Sequence, residues 1–268
     1  MTLGVAVATW CGASSLPAQT PTDLKDAQVW KLQGLRAGYC VRFLIEPRVA
    51  ARELRDGFLL LRADQDSTLH PALRKVIETQ PEFASWAPSS LCLYYLDAVE
   101  LGDRWVADKK RRKAQMIGVW TLAAMEQGSR SRRDLALDMF AGRGPLIKAA
   151  ESDLVRLHEA RSDVSDAPDT TFDQYSVKIG KTSLVWDGRP ARDSARVEHP
   201  IEESWSVPSL RRGVWLVHLA LTAAWSRPLV GSLRVEGKGD LAKALKASPI
   251  RFVGPFHRGG GGELRFSR

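Results

Sequence analysis

Residues 39–45 read Tyr39-Cys40-Val41-Arg42-Phe43-Leu44-Ile45. Tyr39, Val41, Phe43 and Ile45 occupy alternate positions, so in an extended chain they share one face and leave the intervening side chains on the other. This alternation is typical of a half-buried β-strand, and Pro47 ends it. The segment therefore predicts a strand that packs against a core.

The sequence around this strand predicts more β-structure and one clear helix. Leu91–Leu101 alternates in the same way, turns at Gly102-Asp103 and resumes at Trp105-Val106, which is typical of a hairpin. Met116–Ala124 predicts another strand. Thr68–Thr79 predicts a helix, with Pro71 in its first turn. The first half of the chain is thus expected to mix helices and strands.

The middle of the chain favours helices. Ser131, followed three residues later by Asp134, is typical of a helix N-cap and predicts a short helix through Met139-Phe140. Pro145 is well placed as the first residue of a second helix. From Tyr175 onward short apolar runs predict strands of an antiparallel sheet, and only Asp240–Ala247 favours a helix.

These patterns predict an α+β fold: a mixed α/β N-terminal domain, a helical connector and an antiparallel, β-rich C-terminal domain. The expected boundaries are a signal peptide at 1–18, an α+β domain at 19–128, a connector at 129–165 and a β-rich domain at 166–268.

Composition is that of an ordinary globular protein. Of 268 residues, 44% are hydrophobic and 26% charged, which excludes collagen-like and disordered chains. No apolar run is long enough to predict a transmembrane span in the mature chain. Leu3–Trp10 is apolar and uncharged, and Ala18 suits a cleavage site, so we expect a signal peptide and a periplasmic or extracellular protein. The alternative is a buried N-terminal strand.

Three cysteines are present, and Cys11 lies inside the expected signal peptide. The remaining pair, Cys40 and Cys92, predicts a disulfide in an oxidising compartment. Two separate buried thiols in a cytosolic protein are the alternative. Neither cysteine has another Cys or a His nearby in sequence at the spacing of a zinc or haem site, so the sequence predicts no metal and no cofactor.

The chain is basic, with a formal net charge of +8. The densest positive segment is Lys109-Lys110-Arg111-Arg112-Lys113, which predicts either a solvated hairpin tip or a contact with an anionic surface. A nucleic-acid partner is not expected for an exported protein. Trp86 and Trp225 lie at breaks between apolar runs, so they are candidates for a protein-binding surface at or near a membrane.

One acidic motif suggests catalysis. Asp64-Gln65-Asp66-Ser67-Thr68 follows the apolar run 58–61 and resembles the first motif of haloacid-dehalogenase-like phosphatases; Asp103 and Asp108 resemble that family's magnesium-binding motif. The resemblance implies Asp64 as nucleophile and Asp66 as acid and base. Only about forty residues separate the two motifs, too few for the family's alternating βαβ units.

No catalytic set in the sequence is complete, so the sequence predicts no catalytic residues. The leading functional prediction is a non-enzymatic exported interaction protein, an extrinsic accessory subunit of a larger membrane-associated complex of respiratory, photosynthetic or transport type. The alternative is a metal-dependent, phosphatase-like hydrolase that uses Asp64 and Asp66.

Overall fold

Strands dominate the computed structural model. It describes residues 28–101, 104–106, 115–142, 146–148, 150, 155–164, 173–191, 195–208 and 213–267. Within these residues, hydrogen-bonded pairing connects seventeen strands. The pairs are antiparallel, except that β6 pairs in parallel with β7 and with β11. The α+β prediction is therefore wrong, because the described fold is mostly β.

The elements are defined as follows. The strands are β1 Gln28–Ile45, β2 Phe58–Leu60, β3 Ala87–Leu101, β4 Arg104–Val106, β5 Gln115–Glu126, β6 Arg132–Ala141, β7 His158–Val164, β8 Asp173–Ile179, β9 Thr182–Pro190, β10 Val197–Glu198, β11 Ile201–Pro208, β12 Val214–Thr222, β13 Trp225–Arg227, β14 Leu229–Gly237, β15 Arg251–Val253, β16 Phe256–Arg258 and β17 Gly261–Ser267. The helices are α1 Pro47–Glu53, α2 Pro71–Thr79 and α3 Asp240–Ala247, and Pro81–Phe83 forms a 3₁₀ turn.

β1 organises the sheet. It pairs with β3 along nearly its whole length, from Trp30 opposite Leu101 to Ile45 opposite Ala87. Its other edge pairs in turn with β17, β16 and β15. The strand at residues 39–45 is thus confirmed, and it belongs to a longer strand with partners on both edges.

The sheet has a core on each face. Tyr39, Val41 and Phe43 are buried on one face, as their alternation predicts, and α3 covers this side. Cys40 belongs to the core on the opposite face. Burying an apolar side chain such as Val41 or Phe43 contributes about 1.5–3 kcal/mol, so the packing on both faces of β1 holds this strand firmly in place.

The predicted helical connector is wrong. The segment expected to form a helix through Met139-Phe140 is β6, and residues 158–164, inside the expected connector, form β7. Residues 146–148 and 150 are helical. β6 buries side chains on both faces, Leu135 and Ala136 among them. A strand buried on both faces shows no clean alternation, so its apolar pattern does not distinguish it from a helix.

Several other expectations are confirmed. The predicted hairpin is present as β3 and β4, which pair antiparallel. The segment 116–124 lies inside β5, and the helices expected near residues 68–79 and 240–247 are α2 and α3. No helix in the described ranges has both the length and the apolar character that crossing a membrane would require. The domain boundaries stay a prediction, and the expected signal peptide lies outside the described residues.

Candidate functional site

A polar cavity of about 470 Å³ lies between the sheet and the segment that leads into α2. Its size falls within the usual range for small-molecule sites. The residues around it come from β1, β3, β5, β6, β11 and the segment 66–73. The lining residues are Arg42, Asp66, Thr68, Leu69, His70, Leu73, Pro88, Ser89, Ser90, Cys92, Val119, Thr121, Arg132, Asp134, Glu202, Glu203, Ser204 and Trp205.

Arg42 supplies an available positive charge. It alternates with the buried Tyr39, Val41 and Phe43 positions and so points to the cavity side of β1. Within the described part of the chain, its guanidinium has neither a hydrogen bond nor an ion pair. Gly254 makes room for it, because a Cβ atom at that position would lie 3.1 Å from Arg42 Nη1. A partly buried guanidinium with free donors is well suited to bind a carboxylate or phosphate.

Glu203 supplies a carboxyl group beside this charge. Along β11, Ile201, Glu203 and Trp205 share the inward face, so a carboxyl group stands in an otherwise apolar row. The Tyr94 hydroxyl donates a hydrogen bond to Glu203 Oε2 at 2.5 Å. Burial raises the pKa of Glu203, against the opposing effects of the Tyr94 hydrogen bond and the Arg42 charge. A larger fraction of this carboxyl group therefore stays protonated toward neutral pH than in water.

Burial also raises the pKa of the Tyr94 hydroxyl well above its ordinary value, and the Glu203 charge adds to the effect. Tyr94 is therefore a neutral phenol that donates to Glu203. On the wall of the cavity, the hydroxyl oxygens of Ser90 and Thr121 lie 2.8 Å apart and share a hydrogen bond. Among the described residues, the cavity thus brings together the Arg42 guanidinium, the Glu203 carboxyl group and the hydroxyl groups of Ser90 and Thr121.

The cysteine pair lies next to Glu203. Cys40 and Cys92 are directly opposite one another on β1 and β3, and their sulfur atoms are 2.05 Å apart, consistent with the predicted disulfide. Glu203 Oε1 lies 3.5 Å from Cys40 Sγ and 3.8 Å from Cys92 Sγ. The disulfide is therefore part of the same polar site.

His70 is a neutral group at the edge of the cavity. It stacks on Phe252 with ring centroids 4.1 Å apart, and its Nδ1 accepts a hydrogen bond from the backbone N–H of Ala72 at the start of α2. Burial and, to a smaller extent, the Arg42 charge together lower the pKa of His70 to about 4. Its observed contacts are those of a helix cap.

The structure separates the two aspartates of the acidic motif. Asp64 forms an exposed ion pair with Arg62. Asp66 is buried and accepts hydrogen bonds from the Thr68 backbone N–H and hydroxyl, at 2.9 and 2.7 Å, and from Arg132 Nε at 3.2 Å. The carboxylate of Asp66 is thus fully used in holding the loop that precedes α2. Asp103 and Asp108 lie outside the described residues.

The two tryptophans selected as partner-binding residues are packed within the chain. Trp86 lies against Phe83, with ring centroids 4.9 Å apart, beside a small core under α2. The guanidinium of Arg196 covers the ring of Trp225 at 4.3 Å. The basic run at residues 109–113 lies outside the described residues. A partner-binding role for these residues stays a prediction.

The sequence analysis missed Arg42 and Glu203 as site residues. A signal for each was present: Arg42 lies between two core positions of an alternating strand, and Glu203 has the spacing of its apolar neighbours Ile201 and Trp205. A charged residue on the inward face of a strand must find a partner, a ligand or a cavity, because burying an isolated charge is costly.

Comparison with solved structures gives distant similarity. No family model matches the chain, and no curated protein sequence matches it. The enduracididine biosynthesis enzyme MppR with HEPES bound has a TM-score of 0.47 at 13% identity, with coverage of 98% of this chain and 96% of that one. Acetoacetate decarboxylase from Legionella pneumophila gives 0.46 at 11%, covering 98% and 95%. An acetoacetate decarboxylase-like enzyme from Sphingomonas wittichii RW1 gives 0.44 at 9%, covering 95% and 96%.

Both functional predictions are corrected. The prediction of a non-enzymatic accessory subunit is corrected. The solved structures named above carry the names of enzymes, and the similarity to them extends over most of both chains. The phosphatase alternative is wrong as well. Asp64 pairs with Arg62, Asp66 is held by Thr68 and Arg132, and the described strands pair antiparallel except where β6 meets β7 and β11, unlike the repeated parallel βαβ units of that family. At these identities the comparison gives no substrate for this chain.

Proposed function

We propose that this protein is an enzyme that binds a small organic anion in the cavity and transfers a proton from Glu203 to it. The observation that carries the proposal is the joint placement of Arg42, a cation without an ion-pair partner among the described residues, and Glu203, a carboxyl group with a raised pKa, in one cavity. A carboxyl group whose pKa is raised by burial, placed beside a positive charge in one cavity, is typical of acid–base sites.

Arg42 determines the class of ligand. Its planar guanidinium offers several N–H donors in a fixed arrangement that matches the two oxygens of a carboxylate. The cavity volume suits a compact molecule, and the hydroxyl groups of Ser90 and Thr121 can hydrogen-bond polar substituents. A small carboxylic acid with a carbonyl or hydroxyl group therefore fits the lining best.

Glu203 carries out the proton transfer. Its protonated carboxyl group donates the proton to a substrate atom that gains electron density, and the carboxylate left behind accepts the hydrogen bond of Tyr94 and faces the charge of Arg42. These two groups stabilise the ionised form after the transfer. Proton return from solvent restores the acid and completes the cycle.

Binding of small carboxylic acids tests the first part of the proposal. Isothermal titration calorimetry of the purified chain with a panel of 2-oxo and 2-hydroxy acids is expected to identify a ligand. Arg42→Ala is expected to weaken the binding of that ligand by about tenfold or more, because the variant loses at least one charged hydrogen bond. Arg42→Lys is expected to recover part of the loss, since it keeps the charge but not the paired donors.

Two further variants separate binding from proton transfer. Glu203→Gln is expected to retain binding and to lose turnover of any acid that the parent converts. Glu198→Gln, on an exposed position of β10, is the matched control and is expected to behave like the parent. Binding of the acids with equal affinity by the parent and Arg42→Ala would refute the proposed ligand class.

A further inference from the structure

The disulfide and Glu203 form a compact group of potential metal ligands. One ligand atom from each of Cys40, Cys92 and Glu203 lies within 4.8 Å of the other two. We propose that reduction of the Cys40–Cys92 disulfide creates a zinc site whose protein ligands are these three residues. Because Glu203 lies far from both cysteines in sequence, no local sequence spacing indicates this site.

The positions of the atoms already approximate a tetrahedral site. With zinc–sulfur and zinc–oxygen bonds of about 2.3 and 2.0 Å, ligand atoms at the tetrahedral angle lie about 3.5 Å apart for sulfur and oxygen, and about 3.8 Å apart for two sulfurs. Glu203 Oε1 is 3.5 and 3.8 Å from the two sulfur atoms. Only the two sulfurs have to move apart once their bond is broken.

The backbone allows that movement. Cys40 and Cys92 are opposite residues of two paired strands, and the flanking pairs Val41–Leu91 and Tyr39–Leu93 hold the register whether or not the sulfurs are bonded. Small rotations of the two cysteine side chains therefore separate the sulfurs. The strand pairing brings the ligands together without the disulfide.

The chemistry balances with a dithiol as the reductant. The disulfide takes up two electrons and two protons from the dithiol and gives two thiols, while the dithiol becomes a disulfide. Zinc then binds the two sulfurs as thiolates and Glu203 as a carboxylate, and the protons held by these groups pass to solvent.

Three protein ligands leave the fourth zinc position for a water molecule or an anion from the cavity. This arrangement is typical of reactive rather than purely structural zinc sites. Two thiolates and one carboxylate give the bound zinc a net negative charge, which the positive charge of Arg42 on the same cavity wall opposes. A metal-bound Glu203 cannot donate a proton, so zinc bound to the reduced chain would block the proton transfer proposed for Glu203; this consequence alone rests on the proposed function.

Zinc binding by the full chain in two redox states tests the inference. The Cys11→Ser chain leaves only the relevant pair; one sample is reduced with dithiothreitol and desalted without oxygen, and the other stays oxidised. Competition with a chromophoric chelator measures zinc, and Co²⁺ serves as a spectroscopic probe for thiolate ligands. We expect one zinc per chain, and a sulfur-to-cobalt charge-transfer band, only in the reduced sample.

Ligand variants and a control define the site. Cys40→Ser is expected to abolish the charge-transfer band that two thiolate ligands give. Glu203→Gln is expected to weaken zinc binding by about tenfold or more. Glu198→Gln is expected to leave affinity unchanged. Equal zinc binding by the oxidised and reduced parent, or by the reduced parent and Glu203→Gln, would overturn the inference, and the first comparison needs no variant to fold.

The oxidised sample is also titrated with the carboxylic acids described above. Loss of the zinc result while acid binding persists would refute only the metal site. Zinc binding without acid binding would refute only the proposed function.

Discussion

The two aspartates of the acidic motif are expected to differ sharply in their contribution to stability. The Asp66 side chain is 2% exposed and the Arg132 side chain 35% exposed, and Arg132 Nε lies 3.2 Å from Asp66 Oδ2. In Asp66→Asn the remaining oxygen still accepts both hydrogen bonds from Thr68, but the new amide N–H₂ faces Arg132 Nε, and both groups are donors. The variant thus loses one charge-assisted hydrogen bond.

Such a bond contributes about 1.5–3 kcal/mol. Arg132 keeps a second carboxylate partner, Asp134, at 2.9 Å, which limits the cost of the unpaired guanidinium. We therefore expect Asp66→Asn to lower the free energy of unfolding by about 2 kcal/mol. Asp64→Asn removes only an exposed pair with Arg62 and is expected to cost less than about 0.5 kcal/mol.

Thermal unfolding followed by circular dichroism measures the difference. At roughly 2–4 °C per kcal/mol for a chain of this size, Asp66→Asn is expected to melt about 4–8 °C below the parent, and Asp64→Asn within about 2 °C of it. Equal melting temperatures for the two variants would refute the structural role assigned to Asp66. A larger loss in Asp64→Asn would do so as well.

Three further results are expected. Burial raises the pKa of Glu203 in the folded state above its ordinary 4.5, so the folded chain binds this proton more tightly than the unfolded chain. The free energy of unfolding should therefore fall as pH rises from about 4.5 through the raised pKa. Over that range the melting temperature of Glu203→Gln should increase relative to that of the parent. Tyr94→Phe removes the hydrogen bond that favours the ionised carboxyl group, so it should extend the same fall to higher pH, and an unchanged pH profile would contradict this role. Gly260→Ala should lower the free energy of unfolding by about 1–3 kcal/mol, since Gly260 has φ +69° and a Cβ there would lie 1.8 Å from the Thr222 carbonyl oxygen. Gly128 has open space around it, so Gly128→Ala serves as the control in the same melting experiment.

The sequence analysis succeeded where a segment has alternating side chains or a strong end signal. The alternation at 39–45 and Pro71 in the first turn of α2 are such cases. It failed for β6, where burial on both faces removes the alternation and Asp134 mimics a helix cap.

The site was only partly predictable for a related reason. Pairing Cys40 with Cys92 needed only the number of cysteines and the assignment of Cys11 to the expected signal peptide. Placing Glu203 beside them did, because the packing of β11 over β1 and β3 is a long-range property. Asp64 and Asp66 suggested a catalytic motif because they are two residues apart in sequence, whereas the cavity is assembled from strands that are distant in sequence.

The pairing of β1 has a consequence for the order of folding. Gln28 at the start of β1 is opposite Phe266 of β17, and β17 also pairs with β12, so it lies between the two strands. Bringing such distant segments together requires closing a long loop, which costs chain entropy before any contact repays it. The β1–β3 pair is closer in sequence and can form earlier, but the outer edge of β1 stays open until β17 pairs with it. Until then, β1 and β12 each present unpaired backbone groups, the kind of edge through which incomplete chains join one another.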